Sequence, residues 1–161
     1  MLRALRKLFD DEPSAARSLP GHERRHLLLA VASLLHEVTR VDLADSDAEH
    51  ATAEHALADL FRLPPPDAAG LLAEGRERAQ QLTSYFAPVS VIKRDLPLPA
   101  RVHLIEHLWR IAYADGRLDA HEDHYVRKIA HLLYVPNTQS MLARNRARGT
   151  PDPGVPRHEP R

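Results

Sequence analysis

The sequence predicts an all-α protein, folded as a single-domain helical bundle of about six to seven helices. Three observations support this prediction. Apolar residues recur at helical spacing in each long segment, and no segment alternates with the period of two that a strand requires. Ala and Leu abound, whereas Trp, Tyr and Phe number only one, four and three. A chain of 161 residues is also long enough to bury one core without disulfides.

The predicted helices follow one another from Pro20, and turns rich in Pro, Gly and Asp separate them. Asp67 is the expected N-cap of the third helix, which we expect to end near Pro88. Pro99 begins the helix that leads into the second acidic turn. A short element, SVIKRDL, lies between these two helices. The long segments are GHERRHLLLAVASLLHEVTRVD, AEHATAEHALADLFRL, AAGLLAEGRERAQQLTSYF, ARVHLIEHLWRIAYAD, DHYVRKIAHLLYV and TQSMLARNRAR.

Three regions make up the chain. Residues 1–19 form an N-terminal amphipathic segment and linker, and its MLRALRKLFDD run places apolar and basic residues on opposite sides. This segment could dock on the domain, or contact a membrane surface or a partner. Residues 20–147 form the helical domain. Residues 148–161 are rich in Pro and charge, so we expect a disordered tail.

Bulk composition limits the class of function. The 22 basic residues balance the 22 acidic ones, which argues against a nucleic-acid binder. The chain has no Cys, so metal ligands would be oxygen or imidazole, and a reducing compartment is favoured. The longest apolar run, LLLAVASLL, is too short to cross a bilayer. We therefore expect a soluble cytoplasmic protein with no transmembrane segment.

An internal repeat is visible when the chain is compared with itself. Residues 38–61 align without a gap with residues 111–134, and each segment spans a helix-turn-helix unit. Such a unit cannot bury its apolar face alone, so we expect two pseudo-symmetric repeats to pack against each other. The matched positions include Asp42 with Asp115, Glu49 with Glu122, and Leu60 with Leu133.

The repeated acids share a helical phase. Asp42 and Asp115 continue the apolar face of the helix that enters each turn, and Glu49 and Glu122 begin the apolar face of the helix that leaves it. All four carboxylates should therefore point inward at two adjacent turns. Ionised acids near a core must find N–H donors, basic partners or a cation, or else take up protons.

Two explanations of these acids remain open, and they can coexist. In the first, Asp119 and Glu122 form a capping box and Asp115-Gly116 is a turn in which the glycine takes positive φ. In the second, the carboxylates share a Ca²⁺, Mg²⁺ or Mn²⁺ ion, since these cations prefer oxygen ligands.

Histidines offer a further candidate. His103 and His107 have the i, i+4 spacing of helical metal ligands, but no His-Glu-x-x-His motif is present. We interpret them as ordinary surface or groove histidines. No Gly-rich phosphate loop, nucleophile elbow or Ser/His/Asp signature appears either, so we expect no enzyme. A metal-dependent hydrolase with His121 or His124 as the base is a third class.

The segment WRIAYADGRLDAHEDHYVRKIAHLLYV resembles the TerB-like tellurite-resistance family of small all-helical bacterial proteins. The resemblance extends over about residues 26–143. It implies a helical bundle with pseudo-symmetric halves, divalent-metal binding by a repeated Asp-x6-Glu pattern, and links to chemical-stress responses and membrane-associated complexes. The first repeat departs from the pattern, because Leu43 stands where the second has Gly116. The positions that match the pattern are Asp42, Glu49, Asp115 and Glu122.

The leading hypothesis is a non-enzymatic TerB-like module that binds a divalent cation at its two helix-hairpin turns. The alternative is a protein-interaction adaptor whose acids only cap helices. Partners would be a membrane-associated protein complex, or a basic protein that docks on the acidic residues 41–61, and not nucleic acid. The candidate metal ligands are Asp42, Glu49, Asp115, Asp119 and Glu122.

Overall fold

Seven helices run through residues 19–41, 47–116 and 118–149, which are the residues that the computed structural model describes. This part of the chain contains no strand, so the predicted all-α class is confirmed. The helices are α1 (Gly21–Val41), α2 (Asp47–Phe61), α3 (Pro65–Gln81), α4 (Phe86–Asp95), α5 (Leu98–Ala112), α6 (Ala120–Leu132) and α7 (Asn137–Gly149).

Helix α1 lies at the centre of the bundle and contacts α2, α3, α4, α5 and α6. Its apolar positions at helical spacing are fully buried, among them Leu27, Val31 and Leu35. Its approach to α3 is especially close at Gly75. A Cβ atom at that position would lie 2.7 Å from the Ala32 Cβ and 2.8 Å from the Ala32 carbonyl carbon. The two helices therefore pack closer here than any side chain on Gly75 would allow.

Helix α5 carries much of the remaining core. Leu104, Leu108 and Trp109 are fully buried, and α5 packs against α1, α2, α6 and α7. Pro99 lies in its first turn, where a missing N–H costs no helical hydrogen bond. The helix ends at Ala112, and Gly116 in the following turn has φ +80°, as the Asp-Gly pair predicted.

The region between Pro64 and Asp95 differs from the sequence prediction. Asp67 is not an N-cap, because α3 already begins at Pro65 and its N-cap residue is Pro64. Pro65 and Pro66 fit the first turn, where backbone N–H groups have no partner within the helix. The same helix ends at Gln81 and not near Pro88. Pro88 instead lies in the first turn of α4, so the proline is accommodated within a helix start and does not end one.

The predicted boundaries at residues 1–19 and 148–161 stay predictions. Residues 1–18 and 150–161, including the amphipathic N-terminal run, lie outside the described part of the chain. Within the described part, none of the helices is both long enough and apolar enough to cross a membrane.

A candidate metal centre at two buried glutamates

Glu49 lies in the first turn of α2, which begins at Asp47. Its side chain faces the core on the same side as Ala53 and Ala56, one and two turns further along the helix, and all three residues are 0% exposed. The inward phase that the sequence predicted for Glu49 is therefore present.

Glu122 occupies the corresponding place in α6. Asp119 is the N-cap of this helix, and its Oδ1 accepts a hydrogen bond of 2.8 Å from the His121 backbone N–H. The cap fixes where α6 begins and so sets the phase that turns Glu122 toward the core with Val126 and Ile129. All three of these inward residues are 0% exposed.

The two buried glutamates interact directly, although they belong to different helix hairpins. Burial raises the pKa of Glu122 from its ordinary 4.5 to about 8, and the negative charge of Glu49 adds to the rise. The charge of Asp115 adds further, whereas the Asp119 backbone N–H opposes it. A proton between the two glutamates also favours the neutral form of Glu122. The pair therefore resists double ionisation.

Both contacts of the predicted capping box are present. Asp119 caps α6, and the Asp119 backbone N–H interacts with Glu122 and lowers its pKa, although among the described residues no donor meets full hydrogen-bond geometry with the Glu122 carboxylate oxygens. An ionised carboxylate that is buried in this way costs free energy unless a proton or a cation compensates it. The capping contact of Glu122 does not offset its burial and the Glu49 charge, because the pKa of Glu122 remains raised.

The other predicted ligands lie differently. Asp115 is exposed, which corrects the prediction that it points inward. The helical phase was extended from Ile111 to Asp115, but α5 ends at Ala112, so the phase does not predict the burial of Asp115. The charge of Asp115 nevertheless acts on Glu122. Asp119 is half-buried and engaged as a cap. Asp42 lies outside the described residues.

The structure also brings together three residues that the sequence did not connect. Asp59 Oδ2, on α2, lies 3.2 Å from His103 Nε2 and 2.8 Å from His107 Nε2, both on α5. Among the described residues, this is the group of three or more potential metal-ligating side chains whose ligand atoms all lie within 4.8 Å. The i, i+4 pair was visible in the sequence, but Asp59 is 44 residues away and only the packing of α2 on α5 reveals it.

The protonation of this second cluster is well defined. Hydrogen bonds from His103 and His107 hold the pKa of Asp59 well below its ordinary value, so Asp59 is a carboxylate. His107 is only 1% exposed, which departs from its interpretation as a surface or groove residue. Its burial lowers its pKa, although the hydrogen bond with Asp59 opposes the change.

The fold and the buried acids define a class of protein: a small all-α bundle in which a glutamate from the first turn of each of two helices is buried in the core. Residues 28–145, which are most of the chain, match the family described as "Tellurite resistance protein TerB". The chain belongs to this tellurite-resistance family, as the sequence resemblance indicated. Comparisons with curated proteins and with solved structures gave no match.

Proposed function

We propose that this chain is a non-enzymatic TerB-family module that binds a divalent cation at its two acidic helix-hairpin turns. The observation that supports this most is the placement of Glu49 and Glu122. They come from different hairpins, are both fully buried, and interact with each other. A divalent cation would neutralise both charges at once, which no single proton can do.

The donor chemistry selects the kind of ion. Carboxylate oxygens suit Ca²⁺, Mg²⁺ or Mn²⁺, and such ions complete their coordination with water or backbone carbonyls. Asp42 and Asp115, from the matching turns, and the capping residue Asp119 complete the proposed ligand set. An ion held by both glutamates would join the start of α2 to the start of α6. Cation binding would then stabilise the contact between the two hairpins.

Thermal unfolding of the untagged chain tests the proposal. After treatment with a chelator, added Ca²⁺, Mg²⁺ or Mn²⁺ should raise the melting midpoint, because a ligand that binds only the folded state stabilises it. Glu122→Gln should abolish the rise. Asp123→Asn is the matched control, because it neutralises the neighbouring acid, whose carboxylate pairs with Arg127 at 2.8 Å. That variant should keep the full rise.

The adaptor alternative predicts a different result. If the acids only cap helices, none of the three cations raises the midpoint of the wild-type chain. If cations raised the melting midpoint equally in the wild-type chain and in Glu122→Gln, the proposal that Glu122 binds the cation would likewise be wrong. Capture of a basic protein or a membrane-associated complex that a chelator does not affect would favour the adaptor.

We extend the proposal to the cell: the module acts in the cytoplasm in a response to tellurite or related chemical stress. Family membership and the absence of Cys support this extension. Cells that lack the gene should lose tellurite tolerance, and the wild-type gene should restore it. A Glu122→Gln gene that restores tolerance equally well would separate the stress response from the cation.

A further inference from the structure

Asp59, His103 and His107 form a cluster at the contact between α2 and α5, and the proposed carboxylate site does not include any of them. One oxygen, Asp59 Oδ2, accepts hydrogen bonds from both imidazoles. It lies 3.2 Å from His103 Nε2 and 2.8 Å from His107 Nε2. The two rings stack with centroids 4.8 Å apart and planes 12° apart. Three potential ligand atoms therefore converge on one small volume.

These distances suit a tetrahedral metal ion. Zinc bonds of about 2.0–2.2 Å to nitrogen and oxygen place neighbouring ligand atoms roughly 3.3 Å apart in a tetrahedron. The Asp59 Oδ2–His103 Nε2 separation of 3.2 Å lies close to that value, whereas the Asp59 Oδ2–His107 Nε2 separation of 2.8 Å is shorter. Entry of an ion therefore requires the partly exposed Asp59 side chain to move slightly outward. The ion would replace the hydrogen atoms that now join the carboxylate to the rings.

We propose that Asp59, His103 and His107 bind Zn²⁺ or a similar imidazole-preferring transition-metal ion, at a site distinct from the glutamate pair. Two imidazole nitrogens select such ions over Ca²⁺ and Mg²⁺, which prefer oxygen. The two sites therefore differ in the cations that they take. This inference goes beyond the proposed function and does not depend on it.

The helices already hold the ligands in place. His103 and His107 are one turn apart on α5, the spacing at which two histidines of a helix reach the same ion. The His107 side chain is 1% exposed, whereas those of His103 and Asp59 are 26% and 46% exposed. The cluster thus has a fixed inner ligand and an open outer side, where a water molecule completes a four-coordinate site.

Metal titration of the full, untagged and metal-stripped chain tests the site. Calorimetry should detect one Zn²⁺ per chain at this site, and Co²⁺ in its place should give the visible absorption of a tetrahedral complex. Asp59→Asn and His103→Gln change partly exposed positions and should keep the helical circular dichroism of the wild-type chain. Each should weaken Zn²⁺ binding at least about tenfold, since even outer-shell partners of metal ligands have effects of this size.

The chain offers a matched control for histidine content. His22 and His26 have the same i, i+4 spacing on α1, but both are exposed. The double variant His22→Gln/His26→Gln should keep the Zn²⁺ site, and so should Glu122→Gln, which tests the carboxylate site separately. The proposal is overturned if the wild-type chain binds no Zn²⁺, if Asp59→Asn and His103→Gln both bind as tightly as wild type, or if the His22/His26 variant loses the binding.

Discussion

The glutamate pair and the Asp59–His103–His107 cluster differ in how their carboxylate charge is stabilised. At the end of the bundle where α2 and α6 begin, Glu49 and Glu122 are fully buried side by side, so each raises the electrostatic cost of the other. Between α2 and α5, Asp59 remains partly exposed and two imidazoles donate to it. The comparison teaches that the surroundings of a carboxylate decide what can hold its charge: a proton or an oxygen-preferring cation at the two buried glutamates, and imidazole groups at Asp59.

The largest effect on stability should come from removing His107, the buried member of the Asp59–His103–His107 cluster. His107→Ala deletes a ring that is 1% exposed and removes its 2.8 Å contact with Asp59. The lost packing and hydrogen bond should lower the free energy of unfolding by about 3 kcal/mol, measured by urea titration with a chelator present. His124→Ala, at an exposed position of α6, should change it by less than about 0.5 kcal/mol. If His107→Ala had the same free energy of unfolding as the wild-type chain, the cluster would not contribute to the stability of the fold.

The pH dependence of stability should reveal the buried glutamate pair. The pKa of Glu122 is about 8 in the folded chain and 4.5 ordinarily, so the folded state holds more protons between these values. Stability of the chelator-treated protein should therefore be unaffected by this group below about pH 4.5 and fall as pH rises toward about 8. The loss should be at least about 1 kcal/mol, because one pKa unit corresponds to about 1.4 kcal/mol.

Glu122→Gln separates the contribution of Glu122 from that of every other ionisable group. The variant should match the wild-type chain near the acidic end of that window and exceed it in stability near the basic end. Identical pH profiles for the two proteins would show that Glu122 ionises normally. Added divalent cation should reduce the difference, because the ion takes over the role of the proton.

Asp59→Asn should lower the free energy of unfolding, whereas Glu122→Gln should raise it. Asp59→Asn removes the charge that accepts from both imidazoles, but its amide oxygen can still accept one hydrogen bond. Because the side chain is 46% exposed, the cost should be about 1 kcal/mol in chelator. Urea unfolding near neutral pH measures it beside Glu122→Gln. If Asp59→Asn and Glu122→Gln both stabilised the protein, the imidazoles would not stabilise the Asp59 charge, and the proposed difference between the two clusters would be wrong.

The smallest effect should come from an acid that is neither buried nor central. Asp123 is next to Glu122 but turns outward and pairs with Arg127 one helical turn away at 2.8 Å. Asp123→Asn should change the free energy of unfolding by no more than about 0.5 kcal/mol. A larger change would mean that neutralising any acid near this turn has the effect assigned to Glu122.

Sequence periodicity predicted the helical class and the inward phase of Glu49 and Glu122, because both glutamates lie inside regular helices. It failed at Asp115, where the helix had already ended, and at Asp67, where prolines began a helix earlier than expected. Local chemistry predicted the Asp119 cap and the positive φ of Gly116. The contact of Asp59 with His103 and His107 depends on how α2 packs on α5, and no local pattern encodes it. The internal repeat stays a prediction from the aligned acids.

The missing side chain of Gly75 affects the positions of α2 and α6, although Gly75 lies on α3. A methyl group at Gly75 would clash with the Ala32 backbone and push α1 away from α3. Because that central helix also rests on α2 and α6, the displacement would reach the two elements on which the paired glutamates sit. The absence of a side chain at Gly75, on a helix outside both clusters, thus keeps α1 in the position from which it contacts both glutamate-bearing helices.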